Sequence, residues 1–248
     1  MRDALPNAGH RALAALERSG VVRHVITQNV DRLHRKGGSR SVTELHGALA
    51  EVACLACHAV EDRDALQARI LAMNPLWGAL DGTFGPPAAT AGPFVPSPRI
   101  APDGDAELDA DVIREFAIPA CTQCGGVLKP RVVFFGDNVP RATVEEAYDA
   151  TDAAQVLLVV GTSLAVFSGY RFLRRAVERN IPVAIVNRGP VRGETHASLK
   201  VEAGTGVTLE ALARELGALS DSDLRTTART IAREQEQEGQ RERSEDDE

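Results

Sequence analysis

All four cysteines of the chain stand in two Cys-x-x-Cys pairs, Cys54/Cys57 and Cys121/Cys124, the second followed directly by Gly125-Gly126. Two thiolates separated by two residues can grip one Zn²⁺ from a tight turn, and two such pairs complete a tetrahedral site. Four sulfur ligands leave no position open for water, so a metal held this way is structural and not catalytic. The competing reading is a pair of redox dithiols. With no cysteine left over, the pattern fits a reducing compartment better than a disulfide scaffold. Ahead of the first pair stand two polar clusters, Gln28-Asn29-Val30-Asp31 and Glu44-Leu45-His46-Gly47, so a metal module and a candidate reaction site are interleaved along the chain.

The chain has 248 residues, enough for one or two domains with a real core. Its formal net charge of -7 argues against a nucleic-acid binder driven by phosphate contacts, which needs a basic face. No segment is long and apolar enough to span a bilayer, and no basic-then-apolar leader opens the chain. A cytoplasmic, monomeric protein is the expectation.

Periodicity predicts a helix over 7–19 capped by Asn7, a short strand over Arg23–Thr27, and an extended stretch from Gly47 to Ala53. A helix is predicted over Asp62–Met73, then a Gly- and Pro-rich interval from Gly78 to Gly104, then a short acidic helix near Asp109–Phe116. Beyond the second cysteine pair, Arg131–Phe135 reads as a strand and Val144–Thr151 as a helix. Gln155–Val160 and Pro182–Val186 are near-continuous apolar runs, the mark of strands buried on both faces, with helices predicted over Tyr170–Arg179 and Thr208–Leu216. This alternation predicts an α/β fold with a doubly wound, Rossmann-like parallel sheet and an inserted small zinc-binding module. The expected division is 1–47 with 127–217 for the nucleotide domain, 48–126 for the zinc module and 218–248 for a charged, disordered tail.

Open parallel sheets bind ligands at the C-terminal ends of their strands. Gly161-Thr162-Ser163, Asn187-Arg188-Gly189 and Gln28-Asn29-Val30-Asp31 all follow predicted strands, so together they suggest a nucleotide pocket. His46 follows closely and can take a proton near neutral pH, although a lone histidine is as readily a hydrogen-bonded core residue. Asp31 is equally suited to cap a helix over Arg32–Arg35.

These motifs together resemble the sirtuin family of NAD-dependent protein deacylases. The resemblance rests on Thr27-Gln28-Asn29-Val30-Asp31-Arg32-Leu33-His34, Glu44-Leu45-His46-Gly47, both cysteine pairs, Leu128-Lys129-Pro130 with Val132-Val133-Phe134-Phe135-Gly136-Asp137, Gly161-Thr162-Ser163-Leu164 and Ile185-Val186-Asn187, in family order. Ser168-Gly169-Tyr170-Arg171-Phe172, Asn74-Pro75 and Ala101-Pro102-Asp103-Gly104-Asp105 resemble the class II, sirtuin-four-like branch. The resemblance implies transfer of an acyl group from lysine to ADP-ribose with release of nicotinamide, and an ADP-ribosyltransferase side activity. His46 would be the general base for a ribose hydroxyl. Gln28, Asn29, Val30 and Asp31 would face the nicotinamide half of NAD, and Gly161, Thr162, Ser163, Asn187, Arg188, Gly189 and Thr205 the adenosine half. Val133, Phe134, Phe135 and Gly136 would offer an edge to acyl-lysine peptides, and the four cysteines would hold one zinc ion.

Sirtuins also carry a Gly-Ala-Gly-x-Ser phosphate loop and a following Asp-Phe-Arg segment. Neither occurs in these 248 residues. The resemblance therefore implies that the first βα unit is missing and that the chain as given binds NAD weakly. The alternative reading is a catalytically inactive, zinc-stabilised peptide-binding fragment.

Overall fold

The computed structural model describes residues 4–74 and 116–220. In chain order the elements are α1 (Ala8–Arg18), β1 (Val25–Thr27), α2 (Leu33–Lys36), β2 (Val42–Glu44), β3 (Gly47–Cys54), β4 (Val60–Asp62) and α3 (Arg63–Met73). After these come β5 (Leu128–Val132), α4 (Arg141–Asp152), β6 (Leu157–Val160), α5 (Phe167–Glu178), β7 (Val183–Val186), β8 (Leu199–Val201) and α6 (Thr205–Glu215). They form two units, one from Met1–His46 with Val133–Glu248 and one from Gly47–Val132. Leu128–Val132, grouped by sequence with the nucleotide domain, belongs to the smaller unit.

In the larger unit the strands pair in parallel. β1 lies beside β2 in the register Val25↔Val42 to Thr27↔Glu44, and β6, β7 and β8 form a three-stranded sheet in that order. Side chains alternate across β6. Val159 packs with Leu173 and Ala176 of α5 and with Val183 and Ile185 of β7, whereas Leu158 and Val160 meet Ala12 and Leu16 of α1 and Leu209 and Ala213 of α6. Helices therefore cover both faces, which is why this apolar run shows no polar alternation. A third cluster, Leu45, Ala147 and Phe172, joins the end of β2 to α4 and α5. Each fully buried leucine or isoleucine in these clusters contributes about 1.5–3 kcal/mol.

Caps fix the helix starts. Asn7 accepts from His10 N–H while the His10 ring accepts from Asn7 N–H, a reciprocal cap at the start of α1. Asp62 caps α3 through Asp64 and Ala65.

The smaller unit is an antiparallel sheet, β4–β3–β5, with α3 beside it. Asn74, buried at the end of α3, donates to Ala117 O and accepts from Ala117 N, pinning the chain on either side of residues 75–115. The Gly78–Gly104 interval, the helix near Asp109 and the charged tail beyond Ser220 lie outside the described residues.

The predicted strand over Arg131–Phe135 is displaced. The strand ends at Val132, because β5 pairs with β3 from Cys54↔Leu128 to Gly47↔Val132. Pro130 is tolerated there because β5 is an edge strand. Val133–Gly136 instead forms a turn closed by Asp137 N–H donating to Phe134 O. Val-Val-Phe-Phe has strand propensity, but pairing partners decide where a strand stops. The helix predicted from Tyr170 begins at Phe167, and the closing helix begins at Thr205 rather than Thr208.

Candidate active site and metal centre

β3 ends at Cys54 and a turn brings Cys57 back beside it, while the Cys121–Gly126 turn precedes β5 on the neighbouring edge of the same sheet. All four sulfurs come within 4.8 Å of one another. Cys54 Sγ lies 3.5 Å from Cys124 Sγ, and Cys57 Sγ 3.7 Å from Cys121 Sγ. Zinc–sulfur bonds of about 2.3 Å in a tetrahedron separate sulfurs by about 3.8 Å, so the tetrad fits the ion. These close approaches join opposite pairs, which favours a shared metal over two independent dithiols.

Backbone N–H groups converge on the sulfurs, Ala56 on Cys54 and Gln123 on Cys121, each at 3.4 Å. Amides of Cys57 and Ala56 pull the Cys54 thiol down to about 6, whereas the neighbouring Cys57 and Cys54 sulfurs push Cys124 up to about 12. Four thiolates this close repel one another, and a dication resolves the repulsion. The tetrad suits a structural zinc ion.

The second constellation lies in the larger unit. Because Thr27 and Glu44 are register partners, Gln28 and His46 emerge from adjacent parallel strand ends. His46 is half-buried, with Nδ1 3.1 Å from the Gln28 carbonyl oxygen and Nε2 2.9 Å from Ser168 Oγ. A carbonyl only accepts, so Nδ1 carries a proton, and in the neutral ring Nε2 presents the lone pair. Gln28 Nε2 donates in turn to Ser168 Oγ at 3.1 Å. The turn expected to bind peptide begins at this same place, since Val133 N–H donates to the His46 carbonyl at 3.0 Å. Phe134 and Phe135 are exposed beside it, Phe135 entirely.

Asp31 sits two residues before α2 and accepts from Leu33 N–H at 2.9 Å, so its carboxylate serves the helix start. Asn29 is exposed, its N–H donating to Thr27 Oγ1, and Val30 is half-buried.

The third constellation is a crevice of about 390 Å³ lined by Asn187, Arg188, Ala203, Gly204, Thr205 and Gly206. It lies beyond the ends of β7 and β8, at the N-terminus of α6, where no side chain among the described residues caps the helix. Uncapped amides and the exposed Arg188 guanidinium form a donor set suited to the polar half of a nucleotide. Gly161 adjoins this crevice through Thr205. Thr162 Oγ1 and the Ser163 carbonyl are engaged locally, by Leu164 N–H and Arg192 N–H. Gly189 N–H donates to Glu202.

Sequence reasoning missed the crevice lining at 203, 204 and 206, and it missed Ser168 as a partner of His46. Ser168-Gly169 was visible only as a branch signature. Nothing in the local pattern announces that the first turn of α5 meets the end of β2.

The Sir2 family profile matches residues 1–168. NAD-dependent protein deacetylase 1 of Mycobacterium avium is 48% identical over 219 residues, 88% of this chain and 73% of that protein. NAD-dependent protein deacylase SIR4 of Monosiga brevicollis is 46% identical over 194 residues, covering 78% of this chain and 59% of its own length. The chain likewise spans 62% of the NAD-dependent protein deacetylase of Xanthomonas axonopodis, so it matches about three fifths of these last two relatives. Among solved structures, Sir2 with a p53 peptide and NAD⁺ superposes with a TM-score of 0.64 at 26% identity, over 88% of this chain and 73% of that one. Sir2Tm bound to a propionylated peptide matches equally well, with a TM-score of 0.64 at 26% identity over 87% and 73% of the two chains. The parallel sheet, the cysteine tetrad and the His46 strand end thus agree with extensive sequence similarity, and the chain belongs to the Sir2 family.

Proposed function

We propose that this chain carries the catalytic and metal-binding parts of an NAD-dependent protein lysine deacylase. The observation that carries the reading is the placement of His46: Nδ1 lies 3.1 Å from the Gln28 carbonyl oxygen, which can only accept, so in the neutral ring Nε2 is the atom able to take a proton. The relatives' names and the acylated peptides in the neighbouring structures support the substrate class.

When bound, NAD supplies an electrophilic sugar carbon with nicotinamide as its leaving group. His46 Nε2 receives the proton of a sugar hydroxyl presented at the strand ends. Gln28, through its carbonyl, holds the imidazole so that this nitrogen faces the incoming proton. Asn29, Val30 and Asp31 border the nicotinamide end, and Asn187, Arg188 and Thr205 hold the adenosine end in the crevice. Gly161, Thr162, Ser163 and Gly189 shape the adjoining strand-end loops. Val133–Gly136 receives the acyl-lysine peptide beside the His46 carbonyl, with Phe134 and Phe135 shielding the acyl group from water. The cysteine tetrad holds its zinc ion for structure alone.

An acidic net charge supports a protein and not a nucleic-acid partner, and cysteines committed to a metal support a reducing, cytoplasmic setting. Among the described residues no helix is long and apolar enough to cross a membrane. NAD-dependent release of nicotinamide from a panel of acyl-lysine peptides tests the reading. Release that requires an acylated lysine, and NAD at concentrations high enough to offset weak binding, is expected; peptide binding without turnover would favour a non-catalytic binding module.

A further inference from the structure

Ser168 is buried, 9% exposed, in the first turn of α5, and lies 122 residues from His46 in the chain. Its hydroxyl is 2.9 Å from His46 Nε2 and 3.1 Å from Gln28 Nε2. The amide can only donate to this oxygen, and Nε2 of the Nδ1–H tautomer can only accept from it. Every proton therefore has one assignment around a closed ring. His46 Nδ1–H goes to the Gln28 carbonyl, Gln28 Nε2–H to Ser168 Oγ, and Ser168 O–H to His46 Nε2.

The next residue shows that this ring is built. A Cβ on Gly169 would stand 2.7 Å from Gln28 Oε1 and 2.8 Å from Gln28 Cδ, so the amide end of that flexible side chain would have to move away. Glycine at 169 is what lets the Gln28 amide reach Ser168. The Ser-Gly pair is thus explained by two independent contacts, one made by the serine and one permitted by the glycine.

We propose that Ser168 is a positioning residue for His46: its hydroxyl occupies Nε2 until a substrate hydroxyl takes its place, and with Gln28 it holds the ring orientation and tautomer. The kinetic consequence rests on the deacylase reading, whereas the tautomer does not. Ser168 also gives up only one hydrogen bond when substrate arrives, because the Gln28 amide continues to hold its oxygen.

The test is nitrogen NMR on the histidine-labelled 248-residue chain at about pH 8, above the ordinary imidazole range, with His46 assigned from H46Q. The expected spectrum has a protonated Nδ1 and an unprotonated Nε2. S168A is expected to mix the two tautomers, and G169A, which pushes the Gln28 amide away, to do the same. S168T, which keeps the hydroxyl, should restore the parent signature. In nicotinamide release, S168A should lower kcat about fivefold with KM for peptide and NAD changed less than about twofold, the size expected for one neutral hydrogen bond. A protonated Nε2 in the parent chain, or a His46 signal unmoved by both S168A and G169A, overturns the proposal. If S168A does not fold, G169A and S168T carry the test. The tautomer responding in a chain that releases no nicotinamide even at saturating NAD would support Ser168 and refute the deacylase reading.

Discussion

A Cβ built on Gly126 falls 2.8 Å from the sulfur of Cys54 and 2.9 Å from the Ala56 methyl. The glycine after the second cysteine pair therefore sets how closely the two metal-binding turns approach. Replacing it with alanine must push Cys54 outward and open the tetrad. G126A is expected to weaken zinc retention in a chelator competition by about tenfold or more, the scale at which supporting residues act on metal affinity. C54S and C124S should lose the metal outright and unfold the Gly47–Val132 unit. One zinc per parent chain by elemental analysis is the matching expectation, and zinc-free C54S retaining native circular dichroism would contradict it.

His46 is the base of the proposed reaction. H46A should lower kcat for nicotinamide release by about 10²–10⁴-fold, the usual range for losing a general base. Zinc content should not change, because the tetrad lies in the other unit. Undiminished turnover by H46A would remove the assignment.

Three histidines make the larger unit sensitive to acid. Burial holds His10, His24 and His34 below the ordinary value of 6.5, partly countered by Asp31 at His10 and His34 and by Glu146 at His24. The sign follows from proton counting. Below pH 6.5 the unfolded chain protonates these rings while the folded chain resists, so stability is highest above that value and falls as pH drops towards the folded-state values. Urea midpoints taken from pH 7.5 down to 5.5 should decline. H34F keeps a ring against His10, whose centroid lies 4.7 Å away, and should make the decline shallower. An identical slope in H34F would exclude His34 as a source.

Leu173 is 1% exposed and sits between α5 and the β6–β7 strands. L173A should cost about 2–5 kcal/mol by leaving a cavity in the centre of that cluster. Chemical denaturation is the measurement, and a loss below about 1 kcal/mol would mean that the cluster collapses to fill the space.

Local chemistry made several features legible in the sequence. Cysteine spacing pointed to the metal tetrad because two residues between thiols suffice to shape each half-site. Continuous apolar runs identified β6 and β7 because helices cover both faces of the sheet, leaving no wet side to impose alternation. Asn7 announced its helix because a cap needs only neighbouring amides. Other features were settled by tertiary structure. β5 ends at Val132, before the two phenylalanines, because its partner β3 begins at Gly47. Arg188 and Thr205 share a crevice because parallel pairing aligns the ends of β7 and β8. Ser168 meets His46 because α5, packed through Phe172 against Leu45, brings its first turn to the end of β2. Spacing along the chain reports contacts within a turn or a strand. A hydrogen bond between residues 122 apart exists only once the sheet has been assembled and the helix packed on it.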